Sequence, residues 1–152
     1  MSVLLGDVDA TRRFGEWLAR MLVAGDCVAL SGPLGAGKTT LVQGLAWGLG
    51  LDRKELAPSP TYAIALTYPT KPILHHIDLY RVDDRAGTLL SDDYFTSDAV
   101  TVIEWPERAP LWVPERRFLL PLSIEGEARR ASIAASDAAM AERLARVPAF
   151  AG

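Results

Sequence analysis

Asparagine is absent from all 152 residues. A site that reads guanine through an Asn-Lys-x-Asp motif is therefore excluded. There is one cysteine, Cys27, so no internal disulfide is possible. It lies in the apolar run Cys27-Val28-Ala29-Leu30 and reads as a small buried strand residue. The two histidines are adjacent, and with no cysteine beside them they do not make a zinc pattern. The net charge is -3, without the basic excess of a dedicated nucleic-acid binder, although one basic face remains compatible with it. No apolar run approaches the ~20 residues that span a bilayer. Met1 to Asp9 carries two acids and lacks the basic-then-apolar order of a signal peptide. A cytoplasmic protein is expected.

What is present suits one globular domain over residues 1–152, with 49% hydrophobic residues and 23% charged. Val3 to Leu5 is a short edge strand. Asp7 or Asp9 can cap a helix to about Val23, with Phe14, Leu18, Met21 and Leu22 at helical spacing. Cys27 to Ser31 is a buried strand, Gly32 to Gly37 a glycine-rich loop, and Lys38 to Trp47 a helix stopped by Gly48 and Gly50. Strands at Thr61–Tyr68 and Ile73–Asp78 flank a Pro-Thr-Lys-Pro turn and form a hairpin. Asp83 to Asp98 is acidic, a short helix and loop. Val100 to Ile103 is an apolar strand ending in Glu104, and a proline-rich loop follows from Pro106 to Pro114. Late strands fall at Arg117–Ile124 and Arg130–Ala135, and Asp137 caps a last helix to about Arg146. This order predicts a three-layer α/β fold of the P-loop NTPase kind with a mixed sheet.

Gly32-Pro33-Leu34-Gly35-Ala36-Gly37-Lys38-Thr39 matches G-x-x-x-x-G-K-[ST] at every fixed position. A buried strand precedes it and a helix follows, as the mechanism of the motif requires. Glycines let the backbone N–H groups of Gly35, Ala36, Gly37 and the helix start through Thr40 wrap phosphate oxygens, and the helix dipole adds to their pull. Lys38 can reach the β- and γ-phosphates, and Thr39 can place its hydroxyl on Mg²⁺. ATP and Mg²⁺ are the expected cofactors.

Such a loop needs a carboxylate near Mg²⁺, usually at the end of an apolar strand. Glu104 supplies one, after a buried run where an unpartnered acid is costly. Asp78 ends the other strand, sharing a face with His76. Asp78 can orient the attacking water or bind Mg²⁺ through water. His76 reads as a hydrogen-bonded structural residue rather than a base. Ser59-Pro60-Thr61 falls where switch loops sit, and a Thr there can sense the γ-phosphate through Mg²⁺. Trp105 follows Glu104, so strand alternation turns it away from the metal side and makes it a packing or interface residue. Trp17 and Trp47 read as helix-packing residues. Arg81 can pair with Asp83 or Asp84, or meet a partner. Arg116-Arg117 and Arg129-Arg130 read as solvated strand ends, with a basic patch the alternative.

Asp83 to Asp98 contains one Arg and five acids, a poor phosphate clamp for a kinase lid. An ATPase that drives a partner fits better than a small-molecule kinase; a nucleotide-gated binding module is the third class. Four blocks then carry a family resemblance: Gly32-Pro-Leu-Gly-Ala-Gly-Lys-Thr-Thr40, Ser59-Pro-Thr-Tyr62, His76-Ile-Asp-Leu-Tyr-Arg81 and Val102-Ile-Glu-Trp-Pro-Glu107. In order and spacing they resemble the TsaE (YjeE) family. The resemblance implies an ATPase that works with TsaB and TsaD in making threonylcarbamoyladenosine in tRNA. It supports repeated turnover while TsaD performs the transfer, and tRNA is reached through the complex. By position it implies Thr39 and Glu104 as Mg²⁺ ligands, Lys38 as the phosphate lysine, Asp78 as the hydrolysis-linked aspartate and Thr61 as the switch threonine. Thr11 matches a position on the base side of the nucleotide. Arg130 matches a late arginine near the nucleotide, and Arg129 beside it leaves that register open. The doubled histidine and the segment Thr88 to Asp93 depart from the family pattern, the second on a surface a partner would meet.

Overall fold

Apolar residues with little charge between them form the centre of the sheet. Strand β2 (Cys27–Ser31) and strand β5 (Ala99–Glu104) pair in parallel, with Leu30 opposite Glu104. Every residue of β5 is buried. Strand β4 (Ile73–Asp78) runs parallel to β5 on its other side and sets Asp78 opposite Glu104. Strand β6 (Phe118–Glu125) is parallel to β2 through Pro121, then pairs antiparallel with β7 (Ala128–Ser132). β1 (Ser2–Leu5) closes one edge against β7, and β3 (Ala65–Tyr68) closes the other as the hairpin partner of β4. A two-residue strand, β8 (Ala134–Ala135), pairs with the start of β6. The order is β1-β7-β6-β2-β5-β4-β3: a parallel core with antiparallel margins, the mixed sheet expected. The computed structural model describes residues 1–55, 64–82 and 92–152. The start of the predicted strand at Thr61 and most of the acidic segment lie outside these.

Alternation along the strands divides the core. Val28, Leu30, Leu74, Val100, Val102, Phe118 and Leu120 face one cluster, which also holds Phe14, Leu18, Leu41, Leu45 and Met140 from the helices. Cys27, Ile77 and Ile103 face the other, with Leu79 and Ala109. Among the described residues that second layer is built from short 3₁₀ turns at Pro106–Arg108 and Pro110–Trp112 rather than a long helix. Burial pushes the Cys27 thiol up to about 12. No helix among the described residues is long and apolar enough to cross a membrane.

Helix α1 (Val8–Ala19) starts at Asp7, whose carboxylate accepts from Ala10 N at 2.6 Å. It ends about a turn earlier than the apolar spacing suggests. The N–H groups of Arg20 and Met21 reach back three residues to Trp17 and Leu18, tightening the last turn. Met21 and Leu22 are buried from that turn instead. Helix α2 (Lys38–Gly48) follows the loop, and α3 (Ala138–Arg146) is capped by Asp137 through Met140 N at 2.8 Å.

Helices α1 and α2 touch backbone to backbone. A Cβ on Gly44 would lie 2.0 Å from the Arg12 carbonyl oxygen, and one on Gly15 would lie 2.3 Å from that of Leu41. Gly48 packs against the Ala19 side chain and the Glu16 backbone, so it is a contact residue as well as a helix end. The Gly25-Asp26 turn also does more than reverse the chain. The Asp26 carboxylate, buried, accepts from Val23 N at 2.9 Å and pairs with Arg143 at 2.8 Å and Arg116 at 3.4 Å. Arg116 also pairs with Asp137, and Arg117 donates to the Pro114 and Glu115 carbonyls. These arginines are tied into the fold rather than being simple solvated strand ends.

Candidate nucleotide site

The loop between β2 and α2 needs backbone that other residues resist. Gly35 and Gly37 have φ of +78° and +92°. Gly32, at φ +141°, passes so close to β6 that a Cβ would sit 2.4 Å from the Leu122 carbonyl oxygen. Ala36 is fully buried, and Thr40 lies in the first turn of α2. The Lys38 ammonium donates to the carbonyls of Gly32 at 2.8 Å and Pro33 at 2.9 Å, holding the loop closed on itself. Burial lowers its pKa, and the carboxylates of Glu104, Asp78 and Glu107 oppose that shift.

Thr39 and Glu104 meet as their motif positions predict. The Thr39 hydroxyl donates to Glu104 Oε1 at 3.2 Å. The same oxygen accepts from His76 Nε2 at 2.7 Å, with the His76 and Glu104 side chains 0% and 3% exposed. A carboxylate only accepts, so His76 donates through Nε2. Nδ1 is buried without a partner among the described residues. The Tyr68 ring lies over His76 at 6.5 Å between centroids. Burial, aided by Glu104, pushes the Tyr68 phenol up to about 12. A hydroxyl and a carboxylate converging at a strand end beside a phosphate loop are the hard oxygen donors that Mg²⁺ takes, and these residues fit it. Asp78 stands opposite Glu104 at the strand ends, and its Oδ1 accepts from Tyr80 N at 2.9 Å.

Two placements go beyond the expectation. Trp105 is the packing residue expected, just past the end of β5. The strand ends at Glu104, and Trp105 adopts a left-handed backbone, φ +58° and ψ +49°. Its ring packs against the second cluster, the face that alternation assigns it, and also reaches the loop, 4.0 Å from Lys38 Nζ. Tyr80 packs on that ring at 4.9 Å, and the Arg108 guanidinium lies over Tyr80 at 5.6 Å. No motif position marks the left-handed turn that brings the ring to the lysine.

The second is the late arginine. Arg129 Nε donates to the Gly35 carbonyl at 3.2 Å, whereas Arg130 is paired with Glu125 at 2.5 and 2.8 Å. Neighbours on a strand point to opposite faces, so only one of them reaches the loop. That one is Arg129, the alternative that the sequence left open beside Arg130. Thr11 is buried at the base of the loop, its hydroxyl donating to the Asp7 carbonyl at 3.1 Å. Its methyl lies 3.5 Å from where a Gly37 Cβ would be. Thr61 lies outside the described residues. His76 was legible as a face partner of Asp78, but its bond to Glu104 depends on strand neighbours that only the fold brings together.

Three comparisons bear on this site. The family described as "Threonylcarbamoyl adenosine biosynthesis protein TsaE" matches residues 5–132. A Synechocystis protein named tRNA threonylcarbamoyladenosine biosynthesis protein TsaE is 40% identical over 116 residues, covering 72% of this chain and 73% of its own. A Bacillus subtilis protein of the same name is 33% identical over 123 residues, covering 80% and 77%. The crystal structure of Bacillus subtilis YdiB superposes with a TM-score of 0.82 at 25% identity, over 97% of this chain and 93% of that one. With the phosphate loop, Thr39 and Glu104 brought together at the strand ends of a mixed sheet, the chain belongs to the TsaE family.

Proposed function

We propose that this chain is a Mg²⁺-dependent ATPase that supports threonylcarbamoyladenosine formation in tRNA together with a TsaB–TsaD heterodimer. The observation that carries the reading is the meeting of Thr39 and Glu104 at 3.2 Å beside a buried P-loop lysine. Lys38 exchanges its loop carbonyls for phosphate oxygens, a trade open to an ammonium with three donors. The backbone N–H groups from Gly35 to Thr40 bind the phosphates, and Thr39 and Glu104 hold Mg²⁺. When bound, Mg²⁺ neutralises phosphate charge as the terminal bond is cleaved. Asp78, level with Glu104 on the neighbouring strand, orients the attacking water. Thr11 lines the base side, and Arg129 braces the loop. Work on tRNA sets the protein in the cytoplasm, with tRNA contacted through the complex.

A nucleotide-gated binding module is favoured by one further observation. Leu34, inside the phosphate loop, is 70% exposed. An apolar side chain presented by the loop itself suits a partner that covers it. ATP turnover measured with and without TsaB and TsaD tests the main reading. Turnover should be slow alone, faster with the partners, and lost in Lys38→Ala and Glu104→Ala. Unchanged hydrolysis in either variant overturns the roles of Lys38 and Glu104. Partner capture that needs ATP and survives Asp78→Ala, with no partner-stimulated turnover, selects the module instead. Phosphate transfer to a metabolite faster than hydrolysis selects a kinase.

A further inference from the structure

β4 places Leu74, His76 and Asp78 on the face turned to α2, and β5 places Val102 and Glu104 beside them. His76 is one pleat back from Asp78, so its ring reaches diagonally across to the Glu104 carboxylate. The imidazole is fully buried, yet its one bond goes to that carboxylate, and Nδ1 has no partner among the described residues. A histidine kept only for packing would leave a polar atom unsatisfied for no gain, where an apolar side chain of similar size would serve better. The bond falls on Oε1, the same oxygen that takes the Thr39 hydroxyl. Two donors from two elements therefore fix both the position and the rotation of one carboxylate.

We propose that His76 is a positioning residue for the metal-side carboxylate: its Nε2–H locks Glu104 in the orientation that meets Thr39 before a nucleotide arrives. The inference rests on the reading of Glu104 as a Mg²⁺ ligand. It differs from a role for His76 as a base, because the ring has no exposure through which to exchange a proton with substrate. Partners that orient a metal ligand from behind commonly change metal affinity by about 10–100-fold when removed.

The test is ADP binding by calorimetry on the full chain, with Mg²⁺ and with EDTA, the ratio giving the gain due to the metal. His76→Leu should cut that gain about tenfold and leave affinity in EDTA unchanged. His76→Gln carries its amide N–H as far from the backbone as Nε2, and should keep the gain within about threefold of the parent. His76→Asn, whose amide is one bond shorter, should behave like Leu. If Leu fails to fold, the Gln and Asn pair decides. A metal gain within about twofold of the parent in the Leu and Asn chains overturns the inference. So does an equal loss in EDTA, which is the mark of a merely structural role. Glu104→Gln separates the two levels. If it keeps the whole gain, the reading of Glu104 fails and takes the inference with it. If it loses the gain while the His76 variants do not, the inference alone fails.

Discussion

Trp105 offers a sharp test because two effects act on it with opposite sign. Its φ of +58° is left-handed, a conformation that costs a residue with a Cβ about 1–2 kcal/mol. The ring offsets this through contacts with Lys38 and Tyr80, together worth about 1–3 kcal/mol. Trp105→Ala removes the ring and keeps the strain. Trp105→Gly removes both. At an ordinary position glycine is the worse of the two by about 0.5–1 kcal/mol. Here the order should invert, with the Gly variant about 1 kcal/mol more stable than the Ala variant and both below the parent. For a chain of this length that is about 2–4 °C in Tm, well within the precision of a urea or thermal melt. Since both variants lack the ring beside Lys38, their ADP affinities should fall together. An Ala variant more stable than the Gly variant would refute the claim that the site holds backbone strain.

Gly44→Ala should lose about 2 kcal/mol or more, because the 2.0 Å approach to the Arg12 carbonyl forces the helices apart and outweighs a propensity gain of about 1 kcal/mol. Gly6→Ala, with no atom within 4 Å of its added Cβ, is the control and should be near neutral in the same urea titration. Asp26→Ala should cost about 2–4 kcal/mol in chemical unfolding, below the full value for a buried pair because Arg116 and Arg143 are 51% and 26% exposed. Asp26→Asn, which still accepts from Val23 N, should cost less. Stability should fall between about pH 9 and 12. The Cys27 thiol and the Tyr68 phenol ionise in the unfolded chain near 9.0 and 10.0 but in the folded one only at about 12, so the unfolded state loses protons first. A melt series across that range checks it, and a flat profile would contradict the burial of both groups.

Local patterns carried much of the fold into view. Asp7 and Asp137 announce their helices because a side-chain acceptor before an amphipathic run has one main use. The phosphate loop, and the shared face of His76 and Asp78, follow from glycine spacing and strand alternation. What stayed hidden depends on partners distant in sequence. Gly15 and Gly44 look like ordinary helix-weakening residues until the other helix is laid against them. Asp26 looks like a turn residue until α3 brings Arg143. Arg129 and Arg130 are indistinguishable until β1 and β6 fix which face of β7 meets the loop. The contact of Trp105 with Lys38 stayed hidden because it depends on the left-handed turn just after the strand ends at Glu104.

The His76 nitrogen that has no partner among the described residues also makes the site observable. The chain has two histidines, and their surroundings are unlike. His75 meets the Thr67 hydroxyl through Nδ1 at 2.9 Å, whereas His76 gives Nε2–H to a carboxylate and its Nδ1 meets no partner among the described residues. A ¹⁵N-labelled imidazole spectrum of this protein therefore contains two ring systems with separable signatures and no others. One reports the outer strand edge and the other the Glu104 carboxylate. Changes at the Glu104 carboxylate become visible from within the unmodified protein, with no dye, spin label or substitution.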